Sequence, residues 1–322
     1  MASSLASLCE ATKLSENEFE SLFNPVRMGN AADIAYGGCA LAFGVNAASQ
    51  TVPTDYHLYS ALGHFLGPAS TEKKLMCSVR QTRSTRSFAT RNVEIFQKLD
   101  DGKDRLVMFI TTDFHLEEQA SLLTFSAQPF HQYSPVNDTV DTVEAEKKLV
   151  EAGLAPAALP KIGAKLFGPM RQYTDQRICP EGIMAQNMAG LNKSAETTQD
   201  HLALANKTSG DWIKSKQSLQ HPIESLTAVT FVMDGAVSFI PLTHDHKFLD
   251  DASACSSLDF ALRFFTNTID FNQWHLRELR SITGGAGRTY SESRLWDEEG
   301  KMVACMTQQA ILRPKASRSS KF

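Results

Sequence analysis

The sequence predicts an α+β protein with two similar halves, in each of which antiparallel strands cover one apolar helix. The 322 residues are 42% hydrophobic, which is enough for two domains of about 100–200 residues each. Each half has one apolar segment of helical length, followed by strand-like segments. The halves also share a turn before an apolar strand, at Gly102-Lys103 and at Gly300-Lys301. Together these observations predict an internal duplication.

The first half, residues 1–120, is predicted to begin with a helix at 15–23, followed by a glycine-rich stretch at 29–38. Residues 39–49 are small and apolar on almost every face, which predicts a buried helix. Alternating or β-branched residues predict three strands after this helix, at 75–82, 87–97 and 105–116. Residues 100–103 form the kind of turn that closes a hairpin between the last two strands.

The second half, residues 208–315, repeats this plan. Residues 222–240 are largely apolar and predict a second buried helix, with Asp234 near its middle. Strand-like segments follow the helix, at 257–265, 274–282, 288–296 and 302–312. A turn at 297–301 precedes the last of these strands, as in the first half.

Residues 121–207 separate the two halves. This segment contains Pro129, Pro135, Pro156, Pro160, Pro169 and Pro180. Because proline cannot donate to the hydrogen-bond ladder of a central strand, we expect a partly ordered linker rather than a sheet. Only one short helix is predicted within it, at 142–152. Residues 316–322 are then a carboxy-terminal tail.

The composition argues against several classes of protein. A formal net charge of −4 and a pI near 6.1 provide no basic surface for nucleic acid. No segment approaches the roughly 20 apolar residues of a membrane span, and residues 1–15 lack the pattern of a secretory signal. Six scattered cysteines without a CxxC pair indicate free thiols rather than a zinc site or a disulfide framework. We therefore expect a soluble intracellular protein.

The carboxy terminus, Ser320-Lys321-Phe322, is close to the Ser-Lys-Leu address that a peroxisomal import receptor reads. Phe322 replaces leucine by another large apolar residue, and Lys315 and Arg318 lie just upstream. The sequence therefore predicts a peroxisomal protein that the import receptor binds. The alternative is the cytoplasm, since a polar tail can end in this way by chance.

Three polar residues in apolar surroundings are candidates for chemistry. A carboxylate in the apolar helix around Asp234 must be paired or hydrogen-bonded, or its pKa must rise, and such a group suits proton transfer. Alternatively, Asp234 is a capping or partly exposed helix acid beside Gly235. Ser257 and Gln308 lie in apolar strands, where the polarity of an edge strand would also explain them. One residue on the helix and two on covering strands fit better as a convergent polar site.

Ordered segments in both halves resemble the type II acyl-CoA thioesterases, which are double hot-dog enzymes of bacteria and peroxisomes. In the first half the matching segments are Tyr36-Gly37-Gly38, 51–68, 87–91 and 111–114. In the second half they are Trp212-Ile213-Lys214, Asp234, Ser257-Leu258-Asp259, Asn272-Gln273-Trp274, Arg288 and 300–308. The resemblance implies an α+β double hot-dog fold, with two helix-wrapped antiparallel sheets joined by a long linker.

The resemblance also implies hydrolysis of acyl-CoA to free acid and CoA. The family's catalytic residues are an Asp, a Ser or Thr, and a Gln, and the resemblance places them at Asp234, Ser257 and Gln308. It implies that Asp234 activates a water. Gly37 and Gly38 are candidate oxyanion donors, because glycine permits close backbone approach at a helix N-terminus. Arg288, beside the glycine-rich turn 284–287, is a candidate contact for CoA phosphates. No metal or cofactor is required, since a thiolate is a tolerable leaving group.

Two departures from the family pattern leave the substrate open. Residues 264–269 replace a stretch that resembles His-Arg-Pro-Phe, and Gly67-Pro68 replaces a common Arg-Pro. Both lie where acyl-chain or CoA contacts are expected. The substrate is then a fatty acyl-CoA or an unusual acyl-CoA of a specialised biosynthetic pathway.

The sequence favours hydrolysis over other functions. A hot-dog hydratase or dehydratase needs an Asp–His pair, which the helix around Asp234 does not offer. A non-catalytic acyl-CoA-binding protein is disfavoured by the three retained polar residues. A metal site at His244-Asp245-His246 is disfavoured because it has no obvious third ligand. Association into a homo-oligomer stays open.

Overall fold

The computed structural model describes residues 2–29, 34–153 and 155–315. Within these residues thirteen strands form one antiparallel sheet, which runs without interruption from the first half into the second. The strand order is β1-β2-β4-β5-β6-β3-β10-β13-β12-β11-β9-β8-β7, with β1 to β6 between residues 11 and 116 and β7 to β13 between residues 140 and 314. Helices and antiparallel strands in two similar halves confirm the predicted α+β class.

The first half contains α1 (Leu5–Cys9), β1 (Ala11–Lys13), β2 (Glu18–Ser21), α2 (Gly37–Ser49), β3 (Tyr56–Phe65), β4 (Met76–Ser84), β5 (Phe88–Lys98) and β6 (Asp104–Leu116). Helix α2 is buried along most of its length, as predicted. The predicted helix at 15–23 is wrong, because Phe19 and Ser21 are buried at a spacing of two and the segment pairs with β4. Strand β3 was not predicted from the pattern.

The connecting segment contains β7 (Val140–Asp141), α3 (Thr142–Glu151), α4 (Leu159–Tyr173), β8 (Thr174–Ile178) and α5 (Ile183–Gln186). Helix α3 was predicted and the others were not. Strand β8 pairs with β9 (Thr208–Ser215), and β7 pairs with β8, so the segment extends the sheet. Helix α4 is kinked at Phe167, where Pro169 removes a backbone donor and crowds the preceding turn.

After β9, the second half contains α6 (Pro222–Met233), α7 (Ile240–His244), β10 (Ala252–Phe264), β11 (His275–Gly285), β12 (Arg288–Asp297) and β13 (Met302–Pro314). Helix α6 ends at Met233, and Asp234 is its C-terminal cap. The prediction of one helix through residue 240, with Asp234 near its middle, is therefore wrong. The physical reason is the following backbone: Gly235 favours a helix end, and Ala236 has a φ of 72°, which no right-handed helix accommodates.

The two halves meet through one pair of strands and one pair of helices. Strand β3 pairs with β10, with Gly63 opposite Phe260. Helix α2 packs against α6, where the rings of Tyr36 and Phe231 meet edge to face at 4.9 Å between centroids. A Cβ at Gly38 would lie 2.7 Å from the Phe231 carbonyl oxygen, so only glycine permits this approach. The N-terminus of α2 therefore lies against the C-terminus of α6.

In the part of the chain that the structure describes, no helix combines the length and the apolar character needed to cross a bilayer. Residues 316–322, with Ser320, Lys321 and Phe322, lie outside the described residues. The domain limits 1–120, 121–207 and 208–315 stay predictions.

Candidate active site

A cavity of about 510 Å³ lies beside the contact between the N-terminus of α2 and the C-terminus of α6. Both halves and the connecting segment contribute to its lining. Its charged and hydroxyl-bearing or amide side chains include Thr142, Glu146, Arg171, Gln176, Asp211, Asp234, Ser238, Ser256, Ser257 and Arg277. The first half contributes mainly apolar residues, among them Phe65, Leu66 and Met108. A largely apolar cavity with a few convergent polar groups is typical of a small-molecule site.

Asp234 lies at one side of this cavity and is almost fully buried. Burial raises the pKa of its carboxyl group from 3.8 to about 6. Hydrogen bonds from Gln308 and from the Gly38 N–H are the largest effects that offset part of that rise. The partial negative charge of the α6 C-terminus disfavours the carboxylate, whereas the partial positive charge of the α2 N-terminus favours it. The group is therefore ionised at neutral pH yet basic enough to accept a proton.

Gln308 and Ser257 continue a hydrogen-bonded chain from Asp234. The Gln308 Nε2 donates to Asp234 Oδ1, and the Ser257 Oγ donates to Gln308 Oε1 at 3.1 Å. Gln308 is buried on β13, while Ser257 lies on β10 next to an irregularity in the pairing with β13. Such bulges redirect side chains and are common near active sites. The structure thus brings together the three residues predicted to be catalytic.

Gly37 and Gly38 form the first turn of α2, directly against Asp234. A Cβ at Gly37 would lie 3.0 Å from Asp234 Oδ2 and even closer to the Phe65 ring. The absence of a side chain at both positions lets the carboxylate sit against the helix N-terminus. Because the first N–H groups of a helix have no acceptor within it, they are free to bind an anionic group. The Gly38 N–H binds Asp234, and Gly37 faces the cavity.

Arg288 is not brought to this site. It is exposed at the start of β12, pairs with Gly285 across the hairpin, and does not line the cavity. The preceding glycines serve the hairpin turn itself, in which Ala286 and Gly287 have φ values of 51° and 72°. The structure therefore gives no geometric support for the prediction that Arg288 takes part in substrate binding. The glycines beside it are explained by the backbone conformation of the hairpin turn.

Sequence reasoning missed a buried ion pair behind Asp234. Arg277 on β11 faces Asp211 on β9, with Nε–Oδ1 and Nη2–Oδ2 distances of 2.9 Å. The Arg277 Nη1 donates to the carbonyls of Val232 at 2.8 Å and Gly235 at 3.3 Å. These carbonyls lie on either side of Asp234 in the chain, so Arg277 caps the end of α6. A detectable signal was the charged Arg277-Glu278 pair inside a strand whose first five residues are buried.

Tyr36, noted in the sequence only as part of a family segment, also belongs to this arrangement. Its hydroxyl donates to the Phe231 carbonyl at 2.7 Å and thereby ties the start of α2 to α6. Burial raises its pKa well above the usual range, so the phenol stays protonated. Tyr36 is therefore a donor in this site and not a base.

The two histidines of the 244–246 segment have different partners. The Nε2 of His244 lies 3.0 Å from the Ser209 Oγ in a buried environment, and burial lowers its pKa to about 3. The Nε2 of His246 lies 2.7 Å from Asp200. Among the described residues, no group of three or more His, Cys, Asp or Glu side chains could hold a metal ion. This segment is accounted for by structural hydrogen bonds.

Comparison with known proteins supports a single family over both halves. Residues 24–115 match the family model of the acyl-CoA thioesterase N-terminal domain, and residues 170–312 match that of the acyl-CoA thioesterase C-terminal domain. A curated relative, acyl-CoA thioesterase 2 of Haemophilus influenzae, is 21% identical over 301 residues, covering 92% of this chain and 95% of the relative.

Solved structures of the same architecture cover nearly the whole chain. An acyl-CoA thioesterase II of Mycobacterium marinum has a TM-score of 0.67 and 17% identity, covering 97% of this chain and 99% of its own. A hot-dog protein of unknown function from Alicyclobacillus acidocaldarius has a TM-score of 0.67 and 16% identity, covering 97% and 98%. These similarities confirm the predicted double hot-dog fold. With both family domains matched in order, the chain belongs to the acyl-CoA thioesterase family.

Proposed function

We propose that this thioester hydrolase cleaves acyl-CoA by means of a water that Asp234 activates. The observation that carries the proposal is the buried Asp234 carboxylate, which lines the cavity while Gln308 occupies one of its two oxygens. With a pKa of about 6 the group is mostly ionised at pH 7 and is still a useful base. Its second oxygen, Oδ2, lies beside Gly37, where it can accept a hydrogen bond from a water.

In the proposed reaction, Asp234 takes a proton from the water as the water oxygen forms a bond to the thioester carbon. The tetrahedral oxyanion accepts a hydrogen bond from the Gly37 N–H at the N-terminus of α2, whose partial positive charge favours it. Collapse of the intermediate breaks the C–S bond and releases CoA thiolate, which takes up the proton from Asp234. The products are a carboxylic acid and CoA.

Gln308 and Ser257 hold the base in place. Because Ser257 donates to Gln308 Oε1, the Gln308 amide is oriented with its N–H toward Asp234. This leaves one carboxylate oxygen for the water and restricts rotation of the Asp234 side chain. Orientation of this kind supports reaction without any covalent intermediate. Within the described residues that line the cavity there is no histidine, so the Asp–His pair of a hydratase has no counterpart.

Release of free CoA thiol from a panel of acyl-CoAs of increasing chain length tests the proposal. We expect Asp234→Ala to lower kcat by roughly 10²–10⁴-fold, the usual contribution of a general base. Asp100→Asn is the matched control, because its carboxylate is 99% exposed and pairs with Lys73 on the surface. Equal rates for wild type and Asp234→Ala would contradict the assignment of the base.

We also propose that the protein is peroxisomal, addressed by Ser320, Lys321 and Phe322. The proposal is supported by the similarity of this tripeptide to Ser-Lys-Leu. A fluorescent protein that carries the last twelve or so residues is expected to enter peroxisomes, and the same fusion with Lys321→Glu is expected to stay in the cytoplasm. Cytoplasmic fluorescence of the unaltered fusion would contradict the proposal.

A further inference from the structure

Helices α3 and α4 of the connecting segment form one wall of the cavity. Four positions of α3, spaced as on one helical face, line it: Thr142, Ala145, Glu146 and Leu149. On α4, Met170 lines it as well, and its Cε lies 2.9 Å from the position that a Cβ on Gly235 would occupy. Because Gly235 follows Asp234 directly, this wall is close to the proposed base.

A bidentate ion pair is built into this wall. The Arg171 Nη1 lies 3.0 Å from Glu146 Oε2, and its Nη2 donates to Glu146 Oε1. Each side chain is only 14% exposed. Gly163 makes room for the pair, since a Cβ there would lie 2.7 Å from Glu146 Oε1 and closer still to the guanidinium. Glu146 on α3 and Arg171 on α4 therefore form an ion pair that faces the cavity, and Gly163 on α4 leaves the space for it.

The guanidinium has hydrogen-bonding capacity to spare. It carries five N–H donors, and Glu146 accepts two of them. The side chains and backbone of residues 2–29, 34–153 and 155–315 provide no further acceptor for Arg171. A plain alkyl chain against this wall would displace water from these donors without replacing the hydrogen bonds, which is unfavourable. An oxygen atom on the chain would replace the water.

The lining from the first half has the opposite character. Phe65, Leu66, Val107 and Met108 offer only apolar side chains. A chain that is apolar along its length but carries an oxygen at one point would satisfy both parts of the cavity.

We propose that the acyl group hydrolysed by this enzyme carries a hydroxyl, oxo or carboxylate oxygen, which accepts a hydrogen bond from Arg171. The inference rests on the proposed thioesterase function and makes it more specific. Arg171 is then a specificity-determining residue: it binds the acyl chain and takes no part in the proton transfer at Asp234. Oxygenated acyl-CoAs, rather than plain saturated ones, are the preferred substrates.

The test compares acyl-CoAs of matched length that differ only in oxygenation. Plain, hydroxylated, oxo and ω-carboxylated chains of several lengths are assayed with wild type, Arg171→Met and the control Arg80→Met, an exposed arginine outside the cavity. At the best length and position we expect kcat/KM for the oxygenated chain to exceed that for the plain chain by at least about tenfold, the value of a hydrogen bond to a charged group. Arg171→Met should bring that ratio close to one.

A second variant keeps the proposal testable if Arg171→Met fails to fold. Glu146→Gln retains an acceptor for the guanidinium but removes the neutralising charge. We expect it to raise kcat/KM for the carboxylated chain relative to the hydroxylated chain, by about tenfold, because an uncompensated cation then faces the cavity. This arm therefore distinguishes a charged carboxylate oxygen from a neutral oxygen on the chain.

Measurements of acyl-CoA binding test this inference separately from the proposed reaction. Dissociation constants of Asp234→Asn for the same pairs, measured by calorimetry, report chain preference without turnover. If no acyl-CoA is hydrolysed but oxygenated chains bind about tenfold tighter, the proposed reaction is wrong, whereas the selection of oxygenated chains by Arg171 stands. If plain and oxygenated chains bind and react equally at every length, and Arg171→Met changes neither ratio, the inference is overturned while the reaction stands.

Discussion

At Asp234, burial and hydrogen bonding act on the pKa in opposite directions. Burial raises it to about 6, and the bond from Gln308 is the largest effect that lowers it. The same amide therefore stabilises the charged form of the base and fixes its orientation. A change at Gln308 is thus expected to alter both the rate and its pH dependence.

Gln308→Met conserves the size of the side chain and removes both hydrogen bonds. Because the Gln308 bond favours the ionised carboxylate, its loss raises the pKa of Asp234, and the acid limb of kcat/KM should move to higher pH. We expect kcat to fall by about ten- to a hundredfold, as for a lost bond to a charged group. Ser257→Ala, which removes the bond that orients Gln308, should have a smaller effect. An unchanged pH profile in Gln308→Met would contradict this account.

At the scale of single elements, the C-terminal end of α6 depends on a strand. Arg277 on β11 donates to the carbonyls of Val232 and Gly235, while Asp211 on β9 compensates its charge. The end of α6 beside the Asp234 carboxylate is therefore held by residues that are distant in sequence but neighbours in the sheet. Removing one partner of such a buried pair leaves the other charge uncompensated.

Arg277→Met is expected to lower the free energy of unfolding by about 3–5 kcal/mol, measured by urea denaturation. Arg277→Met combined with Asp211→Asn should recover at least about 1 kcal/mol, since the uncompensated carboxylate is then absent. If the double variant is as unstable as the sum of the single ones, the two side chains are not coupled as the structure indicates.

The residue pattern of the sequence predicted those helices and strands whose structure does not depend on partners distant in the chain. The all-round apolar character of α2, the alternation in β4 and β5 and the β-branched residues of β6 indicated their structure. Helix α6 was predicted too long, because its end depends on Gly235, on the left-handed Ala236 and on a cap from Arg277, and no periodicity reveals that cap. The short strands β2 and β8 were not predicted, because each is defined by its pairing with a partner strand and not by its own residue pattern.

Some residues of the candidate site could likewise be identified from the sequence, whereas others required the structure. Asp234, Ser257 and Gln308 are polar residues in apolar segments, so composition alone could single them out. Arg171 and Glu146 lie in a segment that was predicted to be a linker, where charged residues are unremarkable until a fold buries them. Only the three-dimensional structure shows that these two residues are largely buried and line the cavity.

At the scale of the whole molecule, the two halves share one sheet and one hydrophobic core. The buried core includes residues of both, such as Leu41 and Phe114 from the first and Phe231 and Leu262 from the second. The candidate active site lies where the halves meet, with Asp234 from the second half and the N-terminus of α2 from the first. Folding free energy and catalytic geometry are therefore linked at Asp234.

This linkage predicts how stability changes with pH. The pKa of Asp234 is higher in the folded protein, about 6, than its ordinary value of 3.8, so the folded state binds a proton more tightly. Its contribution therefore favours folding at low pH, declines as the pH rises from about 4 to 6, and then levels off about 3 kcal/mol lower. The difference in free energy of unfolding between wild type and Asp234→Asn should follow this curve in urea titrations. Asp100→Asn should show no such trend, and a flat difference for Asp234→Asn would contradict the raised pKa.

The most direct test of the central claim is the pH dependence of kcat/KM for acyl-CoA hydrolysis by the wild-type enzyme. Asp234 must be ionised to accept a proton from water, so the rate should be constant above neutrality until other groups titrate. Below a midpoint near pH 6 it should fall tenfold per pH unit. The residual activity of Asp234→Ala should lack this limb. A wild-type profile that stays level down to pH 4.5, or a limb that persists in Asp234→Ala, would show that another group activates the water.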